Sequence, residues 1–80
     1  MDSELQVVKN ILLLIPDLKP KISVDLVGLD TRFREDLGFD SLAMASFFYE
    51  LQELYPKLEE SQVLQWKKVS DCTQSIRDAR

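Results

Sequence analysis

Ser41 is the residue in this chain best placed to do chemistry. It follows Asp40 at the step from a loop into an apolar helix, within Leu37-Gly38-Phe39-Asp40-Ser41-Leu42. An aspartate there can cap the helix, because its carboxylate accepts from the free backbone N–H groups two or three residues on. Ser41 then lies in the first turn, near the positive end of the helix dipole and beside N–H groups that suit an anion. Gly38 has no Cβ, so the chain can turn sharply and another surface can come close. Nothing in the sequence activates the hydroxyl, however. The chain has no histidine, which removes the usual base of a serine nucleophile and the commonest metal ligand. Lys57, Lys67 and Lys68 read as solvated surface. The one cysteine, Cys72, falls on the apolar stripe of the last helix, where a thiol behaves as a small hydrophobe. Glu35, Asp36 and Asp40 cluster ahead of the helix, but acids at a helix start are more often capping and dipole partners than metal ligands. Gly28 and Gly38, the two glycines, make no phosphate-binding loop. The expectation is a serine that is presented and modified, on a protein that is not an enzyme and holds no metal.

The elements that must position Ser41 can be read from hydrophobic spacing. Leu5, Val8, Leu12 and Ile15 recur at helical intervals and predict a first helix over Ser3–Ile15, capped by Ser3. Val7, Ile11 and Leu14 widen its apolar surface, and Pro16 stops it. Pro16 to Phe39 is a long connection of the kind that needs a reason in a small domain. Ile22, Val24, Leu26, Val27 and Leu29 are expected to pin it across the core. Asp30 or Thr31 is expected to cap a short turn that points Phe33 and Leu37 inward. An extended stretch at Lys21–Val24 has no obvious pairing partner. The second helix runs Asp40–Tyr55, with Met44, Phe47, Phe48, Leu51 and Tyr55 on its core face. Pro56 ends it. A short third helix is expected within Leu58–Trp66, anchored by Val63, Leu64 and Trp66. The last runs from Ser70, as its cap, to about Ala79, with Val69, Cys72, Ile76 and Ala79 inward. The fold class is all-α: a small bundle of three longer helices and one short one, with a long loop between the first and second helices. Residues 1–80 form one domain.

Bulk properties narrow the partners. The 80 residues carry 14 acids against 10 bases, a net charge of −4. A phosphate backbone selects basic patches, so nucleic acid is not the expected ligand, and basic protein surfaces are mildly favoured. No apolar run is long enough to span a bilayer. The acidic start Met1-Asp2-Ser3-Glu4 is unlike a secretion signal. A lone cysteine fits a reducing compartment. The expectation is a cytoplasmic monomer.

Glu35-Asp36-Leu37-Gly38-Phe39-Asp40-Ser41-Leu42 closely resembles the attachment segment of the acyl carrier proteins. There an Asp-Ser-Leu triplet follows a Leu-Gly pair at the start of the second helix. The length, acidic balance, long first loop and helix order resemble that family as well. The resemblance implies a carrier bearing 4′-phosphopantetheine covalently on Ser41, with Asp40, Leu42 and Gly38 as the surrounding site. It implies a phosphopantetheinyl transferase, an acyl-loading ligase or acyltransferase, and a ketosynthase or other acyl-processing enzyme as partners. Acyl groups would ride as thioesters between enzymes of fatty acid, lipid-modification or polyketide-like synthesis. An aminoacyl or peptidyl carrier shares the same arm, and an unmodified helical adaptor is the reading of a different class.

The chain departs from the carriers of bacterial fatty acid synthesis on the second helix. Their exposed face is rich in acids, whereas here it reads Ala43, Ala45, Ser46, Tyr49, Gln52 and Glu53. Contact there is expected to be more apolar and less steered by charge. Leu42, Ala45, Ser46, Tyr49 and Glu53 are the expected partner-binding residues. The departure implies a specialised, free-standing, bacterial-type carrier. Phe47 and Phe48 are expected to fill the space between helices in which relatives shelter long acyl chains.

Overall fold

The computed structural model describes residues 3–15 and 20–79. Helices dominate, and among these residues no strand forms; a single antiparallel bridge joins Arg32 to Lys68. The order is α1 (Ser3–Leu14), a 3-10 helix (Val24–Leu26), α2 (Ser41–Leu54), α3 (Glu60–Val63) and α4 (Val69–Ala79). This is the expected all-α bundle of three longer helices, one short helix and a long first connection.

In α1, Val8, Ile11 and Leu12 are buried, while Leu14 points to solvent. The helix stops at Leu14, although the Ile15 N–H still donates to the Ile11 carbonyl at 3.3 Å. Ser3 lies inside the helix rather than capping it, and its hydroxyl donates to Glu4 at 2.6 Å. Glu4 is itself buried and accepts from Arg77 Nε at 3.0 Å, which ties the two ends of the chain together. The stop assigned to Pro16 lies outside the described residues.

The later part of the long connection, Leu29 to Phe33, is sewn to the segment before α4. The Phe33 N–H donates to the Lys67 carbonyl at 3.0 Å, Val69 to Thr31 at 2.8 Å, and Ser70 to Leu29 at 2.9 Å. Between these bonds Val27, Phe33, Leu37 and Phe39 are buried. Leu26 and Leu29 are not core, contrary to the sequence expectation, and Leu26 is 72% exposed. With three residues per 3-10 turn, Val24 and Val27 share a side and Leu26 is turned away. Neither Asp30 nor Thr31 caps the turn at Phe33. Thr31 Oγ1 instead accepts from the Gly28 N–H at 2.8 Å, and Asp36 Oδ2 accepts from the Arg32 N–H at 2.8 Å.

The core face of α2 is Met44, Phe47, Phe48 and Leu51, as its spacing requires. Phe33, Phe39, Phe47, Phe48 and Trp66 form one aromatic cluster, with the Phe33 and Phe47 rings 5.5 Å apart at 53°. Tilted and edge packing of this kind suits the ring quadrupoles. The indole N–H of Trp66 donates to Ser75 Oγ at 2.9 Å, so the buried ring keeps its polar atom satisfied. The third helix is a single turn: Leu58 and Trp66 anchor its flanks, Val63 is half-buried, and Leu64 is 87% exposed rather than an anchor. Residue 70 does not cap the last helix, which already begins at Val69. Its first N–H groups are taken by the Thr31 and Leu29 carbonyls, and Asp71, in the first turn, reaches back so that its Oδ2 accepts from the Lys67 N–H at 2.9 Å and the Lys68 N–H at 3.0 Å. Those two bonds, Lys68's first, hold the Asp71 carboxyl below its ordinary range. Val69, Cys72 and Ile76 are buried as expected.

Candidate functional site

The segment Leu37–Leu42 runs from core to surface. Leu37 and Phe39 are buried, and the Phe39 N–H donates to the Phe33 carbonyl at 3.0 Å, which clamps the loop just before α2. Gly38 between them sits at φ 73°, in the left-handed region. A Cβ there would lie 2.7 Å from Cε of Lys21, whose stem crosses the glycine. The Lys21 N–H donates to the Leu37 carbonyl at 3.1 Å and holds that crossing in place. The sharp turn expected of Gly38 is present, and the space left by its missing Cβ is taken by this chain's own Lys21 rather than by another surface.

Asp40 is the N-cap of α2. Its backbone is extended (φ −94°, ψ −173°), its Oδ1 accepts from the Ala43 N–H at 2.8 Å, and its carbonyl accepts from Met44 at 3.0 Å. Ser41 is the first helical residue and is exposed. Among the described residues nothing hydrogen-bonds its hydroxyl. The acids nearby are engaged elsewhere: Glu35 pairs with Arg32 at 2.6 Å and Asp36 with Arg32 at 3.7 Å. Among the described residues no three metal-ligating side chains gather. Cys72 is buried, and desolvation, helped by the nearby Asp71 charge, pushes its thiol well above the ordinary range, so it is no nucleophile.

Beside Ser41 opens a cleft of about 150 Å³ between α2 and α3. Met44, Phe48, Val63 and Trp66 give it apolar walls, while Ser41, Arg34 and Glu60 contribute its polar groups. Of the expected partner-binding residues, Ala45 and Tyr49 line the cleft. Leu42, Ser46 and Glu53 do not; they are exposed elsewhere on α2, Leu42 by 79%. Tyr49 is 65% exposed, with its ring 6.4 Å from that of Phe48. Arg34, Glu60 and Leu64 were not legible as site residues in the sequence. They come from a loop and a one-turn helix that carry no periodic signal, and only the fold brings them to Ser41.

The arrangement can present a hydroxyl and shelter a small apolar group beside it. Residues 14–76 match the model of a protein family described as "phosphopantetheine attachment site". No curated protein matches the chain.

Proposed function

The chain belongs to the phosphopantetheine attachment-site family, which includes the acyl carrier proteins, and on that premise we propose that Ser41 holds its arm and that the cargo is a short acyl group. The family's cofactor is 4′-phosphopantetheine, held covalently on a serine, and its members are carriers of that group. The observation that supports Ser41 is its place: an exposed, unpartnered hydroxyl at the first position of α2, opening onto an apolar cleft. The residues present fit the group. The backbone N–H groups of Ser41 and Leu42 have no acceptor among the described residues, and a phosphodiester at a helix start is stabilised by roughly 0.3–1 kcal/mol. Asp40 fixes the helix start, and Gly38 lets Lys21 pass beneath it. Removal of the Ser41 proton falls to the transferase, since the chain has no histidine.

When bound, the arm supplies a thiol whose thioesters have a reactive carbonyl and an acidified α-carbon. The chain's own task is to hold one end of that arm rigid. A cleft of about 150 Å³ is about the size that encloses a single benzene ring. That supports short cargo and limited shelter for long chains, because Phe48 walls the cleft and Phe47 fills the core behind it. Glu60 on the cleft favours the second reading, an aminoacyl carrier, because a carboxylate there can meet an ammonium group.

The surface around Ser41 supports service to a dedicated pathway rather than housekeeping fatty acid synthesis. After Asp40, α2 carries two acids, Glu50 and Glu53, while Leu42, Ala45, Ser46 and Tyr49 are exposed. Apolar contact, with Tyr49 as an anchor, then outweighs charge steering when the transferase, the loading ligase or acyltransferase, and the ketosynthase or other processing enzyme dock. The unpaired, buried Cys72 is compatible with a reducing compartment such as the cytoplasm. Among the described residues no helix is long and apolar enough to cross a membrane.

Co-expression with a broad-specificity phosphopantetheinyl transferase tests the reading. It requires an intact-mass gain of one arm, abolished by Ser41→Ala. No gain in the folded wild type would favour the unmodified adaptor. Loading assays with acyl and aminoacyl ligases then separate the two cargo classes, and equal use of the acyl-loaded protein by housekeeping ketosynthases would refute the dedicated role.

A further inference from the structure

We propose that Arg34 binds the phosphodiester on Ser41 and thereby turns the arm into the cleft between α2 and α3. This rests on the reading of Ser41 as the attachment residue. Arg34 and Ser41 line the same cleft, and Arg34 is the one cation among its lining residues. Arg34 is exposed and has no ion pair among the described residues, whereas Arg32 two positions earlier holds both Glu35 and Asp36.

The local backbone explains that difference. The Arg32 carbonyl accepts from the N–H groups of Asp36 and Leu37, so this stretch is a helical turn. On such a turn residues three and four apart face each other, and those one and two apart do not. Arg32 therefore meets the two acids, while Arg34 does not face them and lines the cleft instead.

An anionic oxygen pair is the chemistry that a free guanidinium recognises best, because its planar fork matches two phosphate oxygens at once. An exposed ion pair between separate groups contributes little. Here the anion is tethered to a neighbouring residue of the same cleft, so the encounter is intramolecular and its effective concentration is high. Glu60 enters the cleft from α3. Its negative charge repels a phosphodiester, so the cleft's attraction for the anion rests on Arg34.

The test uses the holo-protein, with intact mass confirming the arm in every sample. The ³¹P resonance of the phosphodiester is compared in the wild type, Arg34→Lys and Arg34→Gln, and the Arg34 Nε–Hε cross-peak is compared before and after modification. The expected result is a cross-peak that moves on modification. The ³¹P resonance shifts in Arg34→Gln and less in Arg34→Lys, and high salt shrinks both differences. The amide spectrum of the apo Arg34→Gln protein should match the wild type, because the side chain is exposed. An unmoved cross-peak together with the same ³¹P resonance in all three proteins would overturn the proposal while leaving Ser41 intact. A cross-peak that moves only when the arm carries malonate, and not acetate, would assign Arg34 to a carboxylated cargo and also overturn it. Absence of any mass gain in the wild type would remove the Ser41 reading and this proposal together.

Discussion

At Gly38 two independent constraints fall on one missing Cβ. The backbone is left-handed (φ 73°), and the Lys21 stem occupies the place a side chain would take. Gly38→Ala should destabilise the fold by about 1–2 kcal/mol, the cost of a left-handed residue with a side chain. Gly28 carries neither constraint, since nothing lies within 4 Å of its ideal Cβ. Gly28→Ala should be neutral or stabilise by up to about 1 kcal/mol, by restricting the unfolded chain. Urea midpoints of the two variants check this, and equal effects would contradict it. Gly38, Asp40 and Ser41 were legible in sequence because their roles are local: a turn, a cap and a first helical position. Arg34 and Glu60 were not, because their importance depends on two elements that meet only in the folded chain.

The helix starts show how far local signals reach. At α2 the cap is the residue before the helix, Asp40, and the apolar spacing after it reports the buried face correctly. At α4 the signal misleads. Ser70 looks like a cap, but Val69 is already helical, because its N–H is taken by Thr31 and its side chain by the core. Asp71 then reaches back to Lys67 and Lys68, so the carboxylate form is favoured by folding. Its folded pKa lies below the ordinary 3.8. The contribution is therefore complete well above pH 3.8 and is lost as pH falls through the lower folded value. Asp71→Ala should cost about 1 kcal/mol at neutral pH, within the usual range for lost backbone-to-side-chain hydrogen bonds. The gap between variant and wild type should close in strong acid. Denaturant titrations at neutral pH and in strong acid measure both, and a gap that persists in acid would assign the effect to something other than the carboxylate. Leu26 and Leu64 mark the same limit from the other side. Hydrophobicity placed them inward, whereas a 3-10 turn and a one-turn helix are too short for periodicity to choose a face.

For the molecule as a whole, the long first connection is structural as well as connective. It sends Phe33 into the aromatic cluster beneath α2, and its backbone is bonded to the segment leading into α4. The segment ahead of α2 is thus held in place, with the Phe39 N–H bonded to the Phe33 carbonyl and the Leu37 carbonyl bonded to the Lys21 N–H. The sequence disclosed the bundle, its long loop and the inward placement of Phe47 and Phe48. The cleft itself was out of its reach, because it is bounded by residues up to Trp66. Loading a long acyl chain should move resonances at the cleft, at Met44, Phe48 and Val63, and leave Leu12, Phe47 and Leu51 nearly unchanged. Large shifts at those three would show that the core opens to admit the chain. The central claim, that Ser41 carries the arm, is tested most directly by fragmentation mass spectrometry of the modified protein. The chain has seven serines, and Ser46 is also exposed on α2, so the location of the added mass discriminates where its presence does not. The added mass should reside on Ser41 alone; its location on Ser46 or any other serine would contradict the account.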